Sequence, residues 1–299
     1  MVRKLLRAAL IASVAITVST PAGATQWGNY HWATTNGILA VRVNFSITPD
    51  VWGSSVGGAI ADWDTPPSIY NILDHLTLNP QISSADRRKC SPVSSQILVC
   101  NYSYGYRGWL GIANIWTSGD HILQATTRLN DSYFNLTAYN TPAWRNMVAC
   151  QEIGHDFGLD HQNTLFDDKN LGTCMDYTNA PQGGIVVTST GTFDYGPNNE
   201  HPNIDDFISL NSAGMYSHFD ATSTATFAAS ATNFGIRAVG QAAPSTGDAP
   251  GGLSKAEWGT PIHRDAKGRA DTFVRQLGAG RKLLTHVFWT IEATGHEAD

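Results

Sequence analysis

The segment CQEIGHDFGLDH, residues 150–161, places two histidines, a glutamate and a glutamine within twelve residues. A helix is expected to run into it from the Thr141-Pro142 pair, because threonine is a good N-cap and proline is favoured at the first helical position. That helix should reach Asp156 or Phe157, and the glycine that follows should end it. The polar residues of the segment therefore lie on the last turns of a helix and just beyond it.

The polar residues of this segment are spaced as metal ligands would be. Gln151 and His155 are four residues apart and share one helix face, and Glu152 lies beside that face. Gly158 can turn the chain sharply, because glycine adopts positive φ without strain. The turn brings His161 back toward the helix. Three side chains can then converge on one metal ion, with a carboxylate next to its open position.

This stretch resembles the metzincin zinc endopeptidases, whose pattern is H-E-x-x-H-x-x-G-x-x-H followed by a turn that contains methionine. The tetrapeptide CMDY, residues 174–177, is similar to that Met-turn, in the Met-x-Tyr form of astacins and serralysins. The domain as a whole resembles secreted matrixin-like or reprolysin-like proteases more than it resembles astacins and serralysins. The resemblance covers roughly residues 30–220. It implies a mixed twisted sheet, an active-site helix, the Met-turn and a C-terminal helix.

The resemblance also implies a set of roles. Bound zinc would polarise the scissile carbonyl and lower the pKa of its water. Glu152 would take the proton from that water and pass it to the leaving amine. Tyr177 would donate a hydrogen bond to the tetrahedral oxyanion, although a packed aromatic with a satisfied hydroxyl is an equal alternative. Met175 would form the apolar floor under the metal.

The sequence departs from the family at Gln151, where the first zinc-binding histidine is expected. An amide oxygen suits zinc less well than imidazole. We expect Gln151, His155 and His161 to hold Zn²⁺, with catalysis retained. The alternative is a metzincin-fold binding protein that has lost activity, a pseudopeptidase. His201 is a further candidate for the third ligand, although a histidine in a surface loop is the commoner case.

The flanking sequence predicts an α+β domain with strands followed by helices. The stretch WLGIANIW, residues 109–116, resembles the strand at the sheet edge that pairs with substrate in metzincins. An internal strand is an equal alternative. The predicted strands are 37–47, two within 96–117, and 122–129, and the other helical segments are 67–78 and 203–217.

The chain divides into four parts. The region after residue 220 is rich in Ala, Thr, Ser and Gly, which is typical of a linker. The tail beyond it alternates like strands, but so short a segment rarely buries a core alone, so we expect it to pack on the main domain. The predicted parts are a signal peptide at 1–24, a metzincin-like catalytic domain at 25–220, a linker at 221–252 and a small β-rich C-terminal segment at 253–299.

The first 24 residues have the features of a secretory signal peptide: a basic start, an apolar stretch and the small residues Ala22-Gly23-Ala24. The apolar stretch is too short for a membrane anchor. A secreted protein with four cysteines is expected to form disulfides. Three pairings are possible; Cys90–Cys100 is locally reasonable and leaves Cys150–Cys174. A zinc–thiolate site is the alternative, against which the wide spacing argues.

The sequence therefore predicts a secreted, monomeric zinc metalloendopeptidase that acts on proteins or peptides. The formal net charge is −6. Proteins that bind nucleic acids are typically basic, so the composition argues against that class. A carbohydrate-binding or surface-binding protein is a third class, suggested by the nine tryptophans and the β-rich tail.

Overall fold

The computed structural model describes residues 26–34, 39–66, 76–189, 191–212, 215–217 and 255–291. The predicted signal peptide and the predicted linker at 221–252 lie outside these residues. Within the described ranges, no helix combines the length and apolarity needed to cross a bilayer.

The protein has an α+β fold built on one mixed sheet, in the strand order β3-β2-β4-β6-β5-β11-β10-β9, with β1 beside β6. The strands β1 to β4 and β6 pair in parallel, and β5, β9, β10 and β11 pair in antiparallel fashion. A separate hairpin is formed by β7 and β8. The strands are β1 His31–Trp32, β2 Leu39–Ser46, β3 Leu76–Ile82, β4 Gln96–Tyr102, β5 Trp109–Ser118, β6 His121–Asn130, β7 Ile185–Thr188, β8 Gly191–Asp194, β9 Thr260–Arg264, β10 Ala270–Gly278 and β11 Arg281–Trp289.

Two long helices, α1 and α3, pack against one another, and α3 also contacts β5. Each begins with a Thr-Pro pair, but only Thr141 of α3 uses its side chain as a cap, accepting from the Trp144 backbone amide. The described helices are α1 Pro49–Trp63, α2 Asp131–Phe134, α3 Pro142–His155, α4 Ile204–Leu210 and α5 Lys255–Trp258.

Most predicted elements agree with the structure. The predicted strands correspond to β2, β4, β5, β6, β10 and β11, and the helix α3 lies where it was expected, within a few residues. The strands β1, β3, β7, β8 and β9 were not predicted. The helix predicted at 203–217 is shorter and ends at Leu210. In the predicted helix at 67–78, residues 76–78 belong to strand β3, and the rest lies outside the described residues. The helix α1 was not predicted.

The C-terminal segment packs on the main domain, as expected, and it does so by extending the main sheet. Strand β11 pairs with β5 along its whole length, from Arg281 opposite Ser118 to Trp289 opposite Trp109. Strand β5 is therefore an internal strand here, which was one of the two alternatives.

Two disulfides join the four cysteines, Cys90–Cys100 and Cys150–Cys174. The second bond connects α3 to the segment that enters the predicted Met-turn, 24 residues later in the sequence. It holds together the two parts of the chain that carry the predicted site.

Candidate metal centre

The chain reverses direction directly after α3, as the presence of Gly158 predicts. His155 is the last residue of the helix, and Gly158 has a φ of +94°. A Cβ atom there would lie 1.8 Å from the carbonyl oxygen of Tyr30, so no other residue fits without moving the backbone. The reversal brings the ring of His161 to 4.7 Å from that of His155, measured between centroids.

The His155 side chain is held in the form that a metal requires. Its Nδ1 lies 2.8 Å from the carbonyl oxygen of Leu159, which can only accept a hydrogen bond, so Nδ1 carries the proton. Nε2 then presents its lone pair, and it is buried with no hydrogen-bond partner among the described residues. The Trp27 ring stacks on the imidazole at 4.7 Å and fixes its plane.

A third histidine, His286 of β11, joins these two. One ring nitrogen from each of His155, His161 and His286 lies within 4.8 Å of the others, and all three side chains are buried. Burial, and secondarily neighbouring histidines, hold the pKa of His155 and of His286 well below the usual range. Neutral imidazoles are the form that binds metal, so this donor set fits a zinc ion.

Glu152 and Tyr177 lie on either side of His286. Its Nδ1 is 3.1 Å from Glu152 Oε2, and its Nε2 is 2.9 Å from the Tyr177 hydroxyl. A Cβ on Gly111 of β5 would lie 2.8 Å from Glu152 Cγ, so glycine makes room for the carboxyl there. The structure thus brings together both residues predicted to be catalytic, and it places a histidine between them.

The pKa shifts around His286 indicate where the protons lie. Burial, and secondarily Asp156, raise the pKa of Glu152 well above its usual range. A protonated Glu152 can donate to Nδ1 of the neutral imidazole, whose Nε2–H then donates to Tyr177. The Tyr177 hydroxyl in turn lies 3.2 Å from Asp271 Oδ2, to which it can donate. A metal ion that binds His286 would have to replace one of these hydrogen bonds.

Two groups on the C-terminal segment extend this chain of contacts. Asp271 of β10 is buried, and its Oδ1 lies 2.7 Å from Nδ1 of His263 on β9. The hydrogen bond to Asp271 raises the pKa of His263. Burial and Asp271 raise the pKa of Tyr177 well above its usual range, so the tyrosine stays protonated as a hydrogen-bond donor.

Gln151 is anchored to the segment that precedes the Met-turn. Its side-chain nitrogen donates to the carbonyl oxygen of Cys174 at 2.6 Å. Its side-chain oxygen is buried and has no hydrogen-bond partner among the described residues, so it is available as a ligand atom. The role of Gln151 as a zinc ligand stays a prediction.

Met175 and His201 occupy different surroundings. A Cβ on Gly154 of α3 would lie 2.6 Å from Met175 Sδ, so the methionine packs directly against α3. His201 pairs with Asp62 at 2.7 Å on the exposed side of the protein. It is not part of the histidine cluster, whose third member is His286.

His286 is the residue that sequence reasoning missed. It is far from both His155 and His161 in the sequence, and only the pairing of β11 with β5 brings it to the site. The strand-like alternation of the C-terminal segment was recognised, but nothing in it identifies the strand partner.

Comparison with known protein families and with curated proteins finds no match for this chain. Its tryptophans are buried apart from Trp289, which is half-buried. They therefore offer no exposed indole surface of the kind that a carbohydrate-binding protein uses.

Proposed function

We propose that this protein is a secreted zinc-dependent endopeptidase of the metzincin type. The observation that carries the proposal is the convergence of three buried histidines, two from the end of α3 and the turn after it and one from β11, beside Glu152. The Cys150–Cys174 disulfide supports the secreted location, because such bonds persist in oxidising compartments.

His155 and His161 would hold the zinc ion in every state of the enzyme. His286 would be a further ligand where the ion replaces one of its two hydrogen bonds, and Gln151 Oε1 is the candidate from the helix itself. The zinc would supply Lewis acidity and a water of lowered pKa. The orphaned lone pair of buried His155 Nε2 supports this assignment, because a buried polar atom without a partner is costly unless a ligand satisfies it.

The chain's own groups would carry the protons of peptide hydrolysis. Glu152 would act in its carboxylate form, which the positive charge of a bound zinc ion would favour, and would remove a proton from the attacking water as the new C–O bond forms. It would then deliver that proton to the amine as the C–N bond breaks. Tyr177 would donate its hydroxyl proton in a hydrogen bond to the oxyanion, and its raised pKa keeps that proton in place.

A pseudopeptidase on the same scaffold is the second candidate. The observation that favours it is the position of His286, which contacts both Glu152 and Tyr177 and completes a set of three imidazoles. If Gln151 were a fourth ligand beside the three histidines, the site would have no open position and would be structural rather than catalytic.

Zinc binding and peptide cleavage by the full chain separate the two candidates. We expect about one zinc ion per chain, and cleavage of an unfolded protein substrate that a chelator stops. Glu152→Gln should retain the zinc and lose about 10²–10⁴ in rate, because the amide cannot shuttle the proton. His155→Ala should lose both.

Glu200→Gln makes the same chemical change outside the metal centre and is the matched control. Folded protein without zinc would contradict the proposal. Zinc-loaded protein that shows no measurable cleavage, even after the C-terminal segment has been cut free of the rest of the chain, would favour the pseudopeptidase. If Glu152→Gln cleaved at the rate of the unchanged protein, the assigned mechanism would be wrong.

A further inference from the structure

Strand β11 covers the side of β5 that faces the metal centre. It runs antiparallel to β5, and the pair Ala113–His286 lies at the middle of the ladder. An extended peptide could add to the same side of β5 by backbone hydrogen bonds, as peptides do at exposed sheet edges. In the structure, the chain's own C-terminal segment occupies that place.

Alternate side chains of β11 point into the site, as a strand requires. His286 reaches Glu152 and Tyr177, as described above. Two residues later, the Phe288 ring lies 5.3 Å from that of Tyr177. Two residues earlier, Leu284 packs in the same apolar core as Phe288 and the inner face of α3.

We propose that β11 is a built-in substrate mimic that keeps this site latent; the inference rests on the proposed peptidase function. His286 lies between the general base Glu152 and the oxyanion donor Tyr177. The reacting peptide group of a substrate must lie between the same two residues. An extended peptide and β11 therefore exclude one another.

The mimic also indicates the substrate class. A peptide that replaced β11 in the same register would place side chains where Leu284 and Phe288 now lie. Both positions are buried and apolar. The site should therefore accept extended peptides that carry large apolar side chains four residues apart, on either side of the residue that replaces His286.

Closure in the described structure is complete. Glu152 and His286 have no exposed surface, and Tyr177 is 1% exposed. The covering strand is part of the same chain, so it competes at a high effective concentration against any peptide in solution. Opening requires β11 to separate from β5.

The test uses the full chain with a recognition sequence for a site-specific protease placed between residues 221 and 252. Cutting there makes the pairing of the C-terminal segment with β5 bimolecular. We expect the cut protein, after dilution, to bind a fluorescently labelled peptide of residues 281–289 and to cleave an unfolded protein at least tenfold faster than the uncut protein. The matched peptide with His286→Ala should bind at least tenfold more weakly.

A second variant locks the strand in place. Ser118 and Arg281 are paired residues at the end of the ladder, so Ser118→Cys with Arg281→Cys allows a disulfide across it. The cut and locked protein should neither bind the labelled peptide nor gain activity. The single cysteine variants are its controls and should behave like the cut protein.

The outcomes separate this inference from the proposed function. Peptide binding that appears on cutting and is abolished by the engineered disulfide supports the inference that β11 occupies a peptide-binding edge of β5. This holds even if no variant cleaves and the peptidase proposal fails. Equal zinc-dependent cleavage by cut, uncut and locked protein would support the peptidase and overturn the latency. A cut protein that unfolds, or that stays folded and binds no peptide, also overturns it.

Discussion

At the scale of single residues, Gln151 and His286 are the two candidates for the third ligand of the metal. Gln151 approaches from α3 and is fixed by its hydrogen bond to the Cys174 carbonyl. His286 approaches from β11 and is an imidazole, which zinc prefers over an amide oxygen. If β11 leaves the site, Gln151 is the candidate that remains beside His155.

Substitution of Gln151 tests this assignment. Gln151→His should raise zinc affinity, because it restores an imidazole four residues before His155 on the same helix face. Gln151→Ala should lower zinc affinity. It should also lower the free energy of unfolding by about 1–3 kcal/mol, because the buried carbonyl of Cys174 loses its donor.

Competition with a chelating dye measures the zinc affinity, and urea unfolding of the metal-free proteins measures the stability. Gln162→Ala is a control that also removes a buried glutamine amide, one that bonds to Asp206 away from the cluster. Equal zinc affinity in all the variants would show that Gln151 does not contact the metal.

The local part of this site could be predicted from the sequence, and the distant part could not. The spacing of Glu152, His155 and His161 follows from the helical period and from the turn at Gly158, which are local properties. Tyr177 could be predicted to lie at the site because residues 174–177 resemble a Met-turn. His286 depends on which strand β11 pairs with and in which register, and those are properties of the whole sheet.

At the scale of the elements, the glycines of the two long helices have different effects. Those of α1 obscure its helical pattern in the sequence, and Gly154 of α3 allows two side chains to pack closely on that helix. The helix α1 has buried residues Trp52, Val56 and Trp63 at helical spacing, but its several glycines weaken that pattern. The same Thr-Pro signal that identified α3 precedes it. In α3, by contrast, Gly154 is required because Met175 and Trp63 pack directly on it.

Alanine at these two kinds of helical glycine should have opposite effects. Gly57 of α1 is exposed, and a Cβ there would meet nothing within 4 Å. Gly57→Ala should stabilise the protein by about 0.4–1 kcal/mol, because alanine loses less backbone entropy on folding. Gly154→Ala should destabilise it by about 1–3 kcal/mol, because its Cβ would lie 2.7 Å from the Trp63 ring.

Urea unfolding of both variants, each compared with the unchanged protein, measures the difference. Because Gly154 packs against Met175, which is predicted to form the floor of the metal centre, its variant should in addition bind zinc more weakly. Stabilisation of similar size by both variants would mean that helix propensity, rather than the packing at Gly154, dominates.

At the scale of the whole molecule, a metal ion would connect parts of the chain that are far apart in sequence. His155 ends α3, His161 follows the turn at Gly158, and His286 belongs to the C-terminal hairpin. The disulfide Cys150–Cys174 already joins α3 to the segment that contains Met175 and Tyr177. The zinc would add a connection between that unit and β11, and so stabilise the closed form.

Removal of the metal should therefore loosen one identifiable part of the protein. A ligand that binds only the folded state at 1,000 times its dissociation constant stabilises that state by about 4 kcal/mol. Chelation should lower the melting temperature and speed hydrogen exchange of the β11 amides at least tenfold, because opening of β11 no longer breaks a metal bond. The amides of β2 and β4, which lie beyond β6 in the strand order, should change much less.

The variant His286→Ala is the control for this prediction. Its β11 amides should exchange at the same rate with and without zinc. If chelation instead left β11 protected and loosened only the turn between His155 and His161, the metal would be held without His286. The site would then be kept closed by the strand pairing of β11 with β5 alone.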